Sequence, residues 1–413
     1  RDLVRSRGLG DVYKRQVSIG SQVMHMLTVM LVGLAMGATV SIAQAAGGGD
    51  KKRTASAIGN TVTLFMLLSL ALTALLLALR GGIVSIMSTP EEAVQGTLAY
   101  LTVCFIGIPF ITAYNIIASI FRGLGDSKNP MYFIAVACVV NIALDYYFMG
   151  TLHLGPAGAA LGTTLSQAVS VLVSLAVILK RRLISVRRAD FRPQRAVMGK
   201  LLQIGVPVAL QDGFIQVSFV IITIIANRRG LTDAAAVGIV EKIIGFLFLI
   251  PSSMLSTVSA LGAQNIGANK PERAAATLRY AVMIAAGFGV IVTILIQFIA
   301  ESIVGLFTPD TAVISAGGQY LRGYIFDCIF AGIHFSFSGY FCACGKSGLS
   351  FLHNILAIAL VRIPGVYLTS QLFPETLFPM GLATAAGSLL SVVICVIAFT
   401  VIRRKDRQLA LRG

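Results

Sequence analysis

The sequence predicts an all-α polytopic membrane protein of two pseudo-symmetric six-helix bundles, and three observations carry that prediction. Hydrophobic residues make up 56% of the 413 and charged residues only 12%, about half the charged share of a soluble domain. Runs of about twenty apolar residues, long enough to cross a bilayer as a helix, recur along the chain. The second half also repeats the first at a constant shift of 220 residues, the mark of a duplicated architecture.

Taken in order, the apolar spans fall at 17–43, 55–79, 97–120, 131–150, 158–180, 201–226, 235–260, 278–300, 317–341, 351–373 and 379–402. Residues 1–16 carry five bases and two acids with no apolar stretch and read as a foreign leader rather than a signal peptide. The repeat matches Gln44 and Gly47 to Gln264 and Gly267, Tyr100-Leu101 to Tyr320-Leu321, and Phe121, Gly125 and Ser127 to Phe341, Gly345 and Ser347. Past Pro156-Ala-Gly158 the shift becomes 223, matching Pro379-Met-Gly381. The span 201–226 has no partner upstream of Val17, so the expectation is a twelve-helix protein whose first helix this chain lacks. The expected organisation is therefore a leader (1–16), a first lobe (17–180), a cytoplasmic connector (181–200), a second lobe (201–402) and a basic tail (403–413).

A formal charge of +16 would suggest nucleic acid in a soluble chain. Here one alternate set of loops holds twenty-two Lys and Arg and the other only Arg80, Arg228 and Arg229. That asymmetry is topology: the basic loops, the connector Arg181–Lys200 and the C-terminus are expected on the cytoplasmic side. The six cysteines form no Cys-x-x-Cys pair and the four histidines show no metal spacing, so neither a disulfide framework nor a zinc site is expected.

Polar groups inside the apolar spans are the functional candidates. Asp145 and Asn141 lie four residues apart, on one face of the 131–150 helix. A carboxylate there costs several kcal/mol unless protonated, ion-bound or paired. Asp327 is either a site residue or the local partner of Arg322, and Arg362 reads as a structural group bonding backbone carbonyls, with holding the two halves in register or attracting anionic lipid as the alternatives. His334 reads as a packed histidine, with cavity lining as the alternative; Gln216 and Glu241 are further cavity candidates. Pro109, Pro207, Pro251 and Pro364 sit inside spans, where each removes a backbone bond and permits a bend.

Together these features resemble the multidrug and toxic compound extrusion (MATE) family. The resemblance rests on Gly262-Ala-Gln-Asn-Ile-Gly-Ala268, Phe121-Arg-Gly-Leu-Gly-Asp126, Asn141-Ile-Ala-Leu-Asp145 and Arg362-Ile-Pro-Gly-Val-Tyr367, in that spacing, and covers Val17 to about Arg404. It implies two bundles around a central cavity and a cation or proton site in the first lobe. Asp145 would be its key carboxylate, with Asn141, Asn115 and Thr163 as polar neighbours. It also implies a second-lobe site, for which Asp212 and Asp327 are candidates, although Ile215 stands where the seventh-helix acid would be. The implied activity is antiport at the bacterial plasma membrane. Small organic, often cationic, compounds would leave against H⁺ or Na⁺, by a monomer without cofactor. The alternatives from the sequence are a lipid-linked oligosaccharide flippase of the same superfamily, an integral-membrane enzyme, or a passive channel.

Overall fold

The computed structural model describes the backbone of residues 2–86, 91–182 and 184–410. Among these, the side chains of 2–19, 92, 93, 406, 407, 409 and 410 are outside the description. The chain divides into two compact units, Arg1–Leu202 and Gln203–Gly413. The first unit contains α1 (Asp2–Gly47), α2 (Lys51–Ile86), α3 (Glu91–Ile106), α4 (Ile108–Gly123), α5 (Lys128–Asp145) and α6 (Pro156–Arg181). Most of α7 (Arg195–Arg228) belongs to the second unit, followed by α8 (Leu231–Leu247), α9 (Leu249–Gly267), α10 (Pro271–Gly305), α11 (Thr311–Tyr324) and α12 (Phe326–Ala343). The series ends with α13 (Ser347–Ala357), α14 (Ile363–Leu372) and α15 (Phe378–Ala410). Ten helical segments among the described residues are long and apolar enough to cross a membrane, or eleven with the bent pair α3–α4 counted as one. All eleven expected spans are therefore present as helix. Large apolar side chains such as Leu179 (76% exposed) and Phe298 (81%) face outward, as a lipid-facing surface requires. The chain is a multi-pass membrane protein.

The prolines explain where the helices break. A proline cannot donate to the carbonyl four residues back. Pro109 leaves Phe105 without that bond, and α3 and α4 meet at Gly107 with a bend of 43°. Pro251 does the same to Leu247, where α8 gives way to α9. Pro364 releases Leu360, inside a π-helical turn over Ile358–Arg362. Pro207 leaves α7 continuous, and the released Gln203 carbonyl accepts from the Ser347 hydroxyl at 3.2 Å instead. A second π-turn, Tyr146–Thr151, follows Asp145 with no proline to mark it.

The repeat survives as repeated hydrogen bonds. Thr39 donates to the Ser119 carbonyl at 3.4 Å, and 220 residues on Ser259 donates to that of Gly339 at 3.3 Å. The turn after α4 closes with Asp126 N–H on the Phe121 carbonyl, and that after α12 with Lys346 N–H on Phe341, both at 2.8 Å. Both are helix-ending turns that need a left-handed residue, supplied by Gly125 (φ +88°) and Gly345 (φ +72°). The turn after α1 uses Gly49 (φ +71°) and its counterpart after α9 uses Asn269 (φ +57°). Helix pairing repeats as well: α1 packs on α4 as α9 does on α12, and α3 on α6 as α11 does on α15.

The connector is clasped to the first unit rather than strung loosely from it. Asn60 of α2 donates to the Asp190 carbonyl at 3.3 Å and accepts from Gln194 N–H at 2.8 Å. Thr63 donates to the Phe191 carbonyl at 2.7 Å. Gly59 lets the connector approach, because a Cβ there would strike Asp190. Lys200 donates to the Gln44 side-chain oxygen, at the end of α1, at 2.6 Å.

Candidate functional site

In the first unit Asp145 closes α5 and faces α6. Its Oδ1 is buried without a hydrogen-bond partner and sits against Gly162, where any Cβ would collide with it. The amide nitrogen of Asn141, one turn earlier on α5, is likewise buried and unpartnered. Tyr100 of α3, beside Ser21 and Cys104, lies within electrostatic reach of the carboxylate. The remaining expected residues are less directly engaged. Asn115 is half-buried and donates to the Ile111 carbonyl at 2.8 Å. Thr163 is exposed and donates to Ala159 at 3.2 Å, whereas Thr164 turns inward against Gly107, 3.5 Å from the Val103 carbonyl. Among the described residues no hydrogen bond joins Asn115 or Thr163 to Asp145. Among the described residues, what the unit brings together is one acid, an amide one turn away and a phenol, and no ion pair to Asp145.

The second unit holds a different cluster. Asp327, at the start of α12, is fully buried, and Arg362, at the end of the π-turn, is 7% exposed. Their Nη2–Oδ2 separation is 3.5 Å, and the same Nη2 donates to the Tyr324 hydroxyl at 2.7 Å. The guanidinium also stands over the rings of Phe219 and Tyr324, at 5.3 and 5.9 Å. The pair borders a cavity of about 40 Å³ whose lining includes Ile215, His334, Asn354, Ser388 and Ser391. His334 is buried with Nδ1 unpartnered, and its ring meets His353 edge-on at 5.5 Å. Glu241 on α8 has Oε1 buried and unpartnered, its Oε2 3.5 Å from the Thr223 hydroxyl, and lies within reach of the Arg362 charge.

Two expectations are corrected here. Arg322 is not the partner of Asp327: it faces α10, pairs with Glu301 at 3.2 Å and donates to the Gln297 carbonyl. The break at Ile325, between α11 and α12, separates the two side chains. Among the described residues Arg362 bonds no backbone carbonyl; its partners are a carboxylate and a phenol, since a buried base is held best by an opposite charge. Asp212 and Gln216 are half-buried on α7, and among the described residues neither they nor Glu241 line the cavity; Ile215 does. Sequence reading missed Tyr324, Asn354, Ser388 and the Asp327–Arg362 pair. Its signal was an acid and a base both inside spans of one half, and intramembrane charges tend to pair. No group of three or more metal-ligating side chains occurs among the described residues.

Comparison with known proteins completes the description. The MatE family profile matches residues 10–147 and 207–368. A relative from Bacillus subtilis (strain 168), "Probable multidrug resistance protein YpnP", is 28% identical over 349 residues, covering 84% of this chain and 78% of its own. The "Multidrug export protein MepA" of Staphylococcus haemolyticus (strain JCSC1435) is 27% identical over 314 residues, 75% of this chain and 69% of its own. Among solved structures, a crystal structure of MATE in the straight conformation superposes with a TM-score of 0.89 at 22% identity, over 98% of this chain and 90% of that one. The structural likeness establishes the shared fold.

Proposed function

The chain belongs to the MatE family, and from that membership we propose that it is an antiporter exporting organic, often cationic, drugs in exchange for H⁺ or Na⁺. Support for the drug reading comes from relatives described as multidrug resistance and multidrug export proteins. Support for cation coupling comes from one observation: Asp145, inside a membrane-crossing helix, keeps a buried carboxylate oxygen without any partner. A proton or Na⁺ supplies the missing compensation.

The mechanism follows from where that oxygen sits. Oδ1 is lodged between α5 and α6, against Gly162. Neutralising the carboxylate removes the cost of holding a charge there and changes how the two helices pack. A cation that binds the two states of this contact unequally shifts the balance between them, and an exported compound that prefers the other state is released. No covalent bond is made or broken. The basic connector and tail, on the cytoplasmic side by their charge, orient the chain in the plasma membrane.

Ethidium efflux from cells expressing the protein tests this reading against Asp145→Asn. Efflux is expected to collapse in the variant at equal expression, and repeating it with and without Na⁺ at fixed pH names the ion. Unchanged efflux would move the coupling to the acids of the second unit. Absence of efflux from both proteins would defeat the drug assignment and leave the flippase reading.

A further inference from the structure

We propose that Arg362 is a tethered cation: it fills the acidic site of the second unit, so that this unit takes up no mobile cation of its own. What surrounds the guanidinium is what a monovalent cation site is made of. Asp327 gives a carboxylate oxygen at 3.5 Å, Tyr324 a phenol oxygen at 2.7 Å, and Phe219 and Tyr324 give ring faces at 5.3 and 5.9 Å. Glu241 adds a second carboxylate within electrostatic reach, and Tyr320 adds a buried, unpartnered hydroxyl. Without the guanidinium, two acids would face each other's surroundings with no base among the groups just named. A cation from outside would then have to answer them.

The backbone is shaped to deliver the base. The π-turn Ile358–Arg362 ends on it, and Gly387 of α15 admits it, since a Cβ there would stand 2.9 Å from the Arg362 Cβ. The repeat sharpens the contrast. At the 220-residue shift Tyr320 corresponds to Tyr100, Tyr324 to Cys104, Glu241 to Ser21, and Arg362 to Ile142, one turn from Asp145. The corresponding helix thus presents an acid in the first unit and a base in the second. The first must be answered from outside; the second is already answered.

Thermal unfolding of the purified full chain tests this by binding rather than by efflux. In the Asp145→Asn chain, Na⁺ and K⁺ should shift the melting temperature no more than N-methylglucamine at equal ionic strength. A saturable Na⁺ or K⁺ shift in that chain, lost when Asp327→Asn is added, overturns the proposal. A shift that survives in both chains does not need Asp327 and instead defeats the assignment of the cation site to Asp145, the one point shared with the functional reading. In D145N carrying Arg362→Ala, the melting temperature should fall and be restored saturably by methylguanidinium or Na⁺, and D327N should abolish that rescue. A folded R362A chain that no cation stabilises overturns the proposal. Should R362A fail to fold, the D145N arm decides alone, because it leaves Arg362 in place.

Discussion

Gly162 gives the sharpest local handle on Asp145, because it separates the position of the carboxylate from its charge. Gly162→Ala puts a Cβ where Oδ1 now lies. The carboxylate is the free end of a side chain and can move while the helices stay. The expected result is clearly reduced efflux, because a displaced carboxylate no longer couples its neutralisation to the α5–α6 contact, with a melting temperature close to that of the parent. Efflux and melting measured on the same preparation check it. Asp145 and Asn141 were legible in the sequence because a carboxylate stands out in an apolar run. The choice between Thr163 and Thr164 was not. Adjacent residues on a helix point about 100° apart, and the rotation of α6 is set by its packing against α5 and α3. The partner of Asp327 was hidden for a related reason: Arg322 is near in sequence but turns to α10, while Arg362 arrives from a different helix.

Among the elements, the helix-ending turns and the connector carry the most direct predictions. Gly125 and Gly345 sit at equivalent places with positive φ and nothing within 4 Å of a Cβ at Gly345. Gly125→Ala and Gly345→Ala should each cost about 1 kcal/mol, the penalty of a left-handed side-chain-bearing residue, and by similar amounts. Thermal unfolding of the two variants side by side measures it. Asn60→Ala removes two of the bonds that hold the connector on α2. Trypsin should then cut at Arg187, Arg188 or Arg192 faster than in the parent, as gel analysis of a time course would register. Helix positions were readable from apolar runs, and three of the four prolines mark a break or a π-turn. The π-turn after Asp145 was not readable, because no proline or other backbone constraint in Tyr146–Thr151 announces it.

At the scale of the molecule, the distribution of bases predicts which ends of the helices face the cytoplasm. With the native cysteines replaced, Leu231→Cys should react with a membrane-impermeant maleimide on intact cells, and Lys270→Cys only after permeabilisation; Leu231 is 92% exposed. The duplication was legible from matched residues at one shift, and the bonds of Thr39 and Ser259 repeat it in three dimensions. At one helix contact the copies differ. In the first unit Gly123 of α4 makes room for Ile42 of α1; in the second, Gly262 of α9 makes room for Ala343 of α12. The same crowding has been relieved from opposite sides. A hybrid uniting Ile42 with Ala343 would clash, and one uniting Gly262 with Gly123 would leave a gap. At this contact, then, the residue of one copy cannot be exchanged for that of the other unless its partner is exchanged with it.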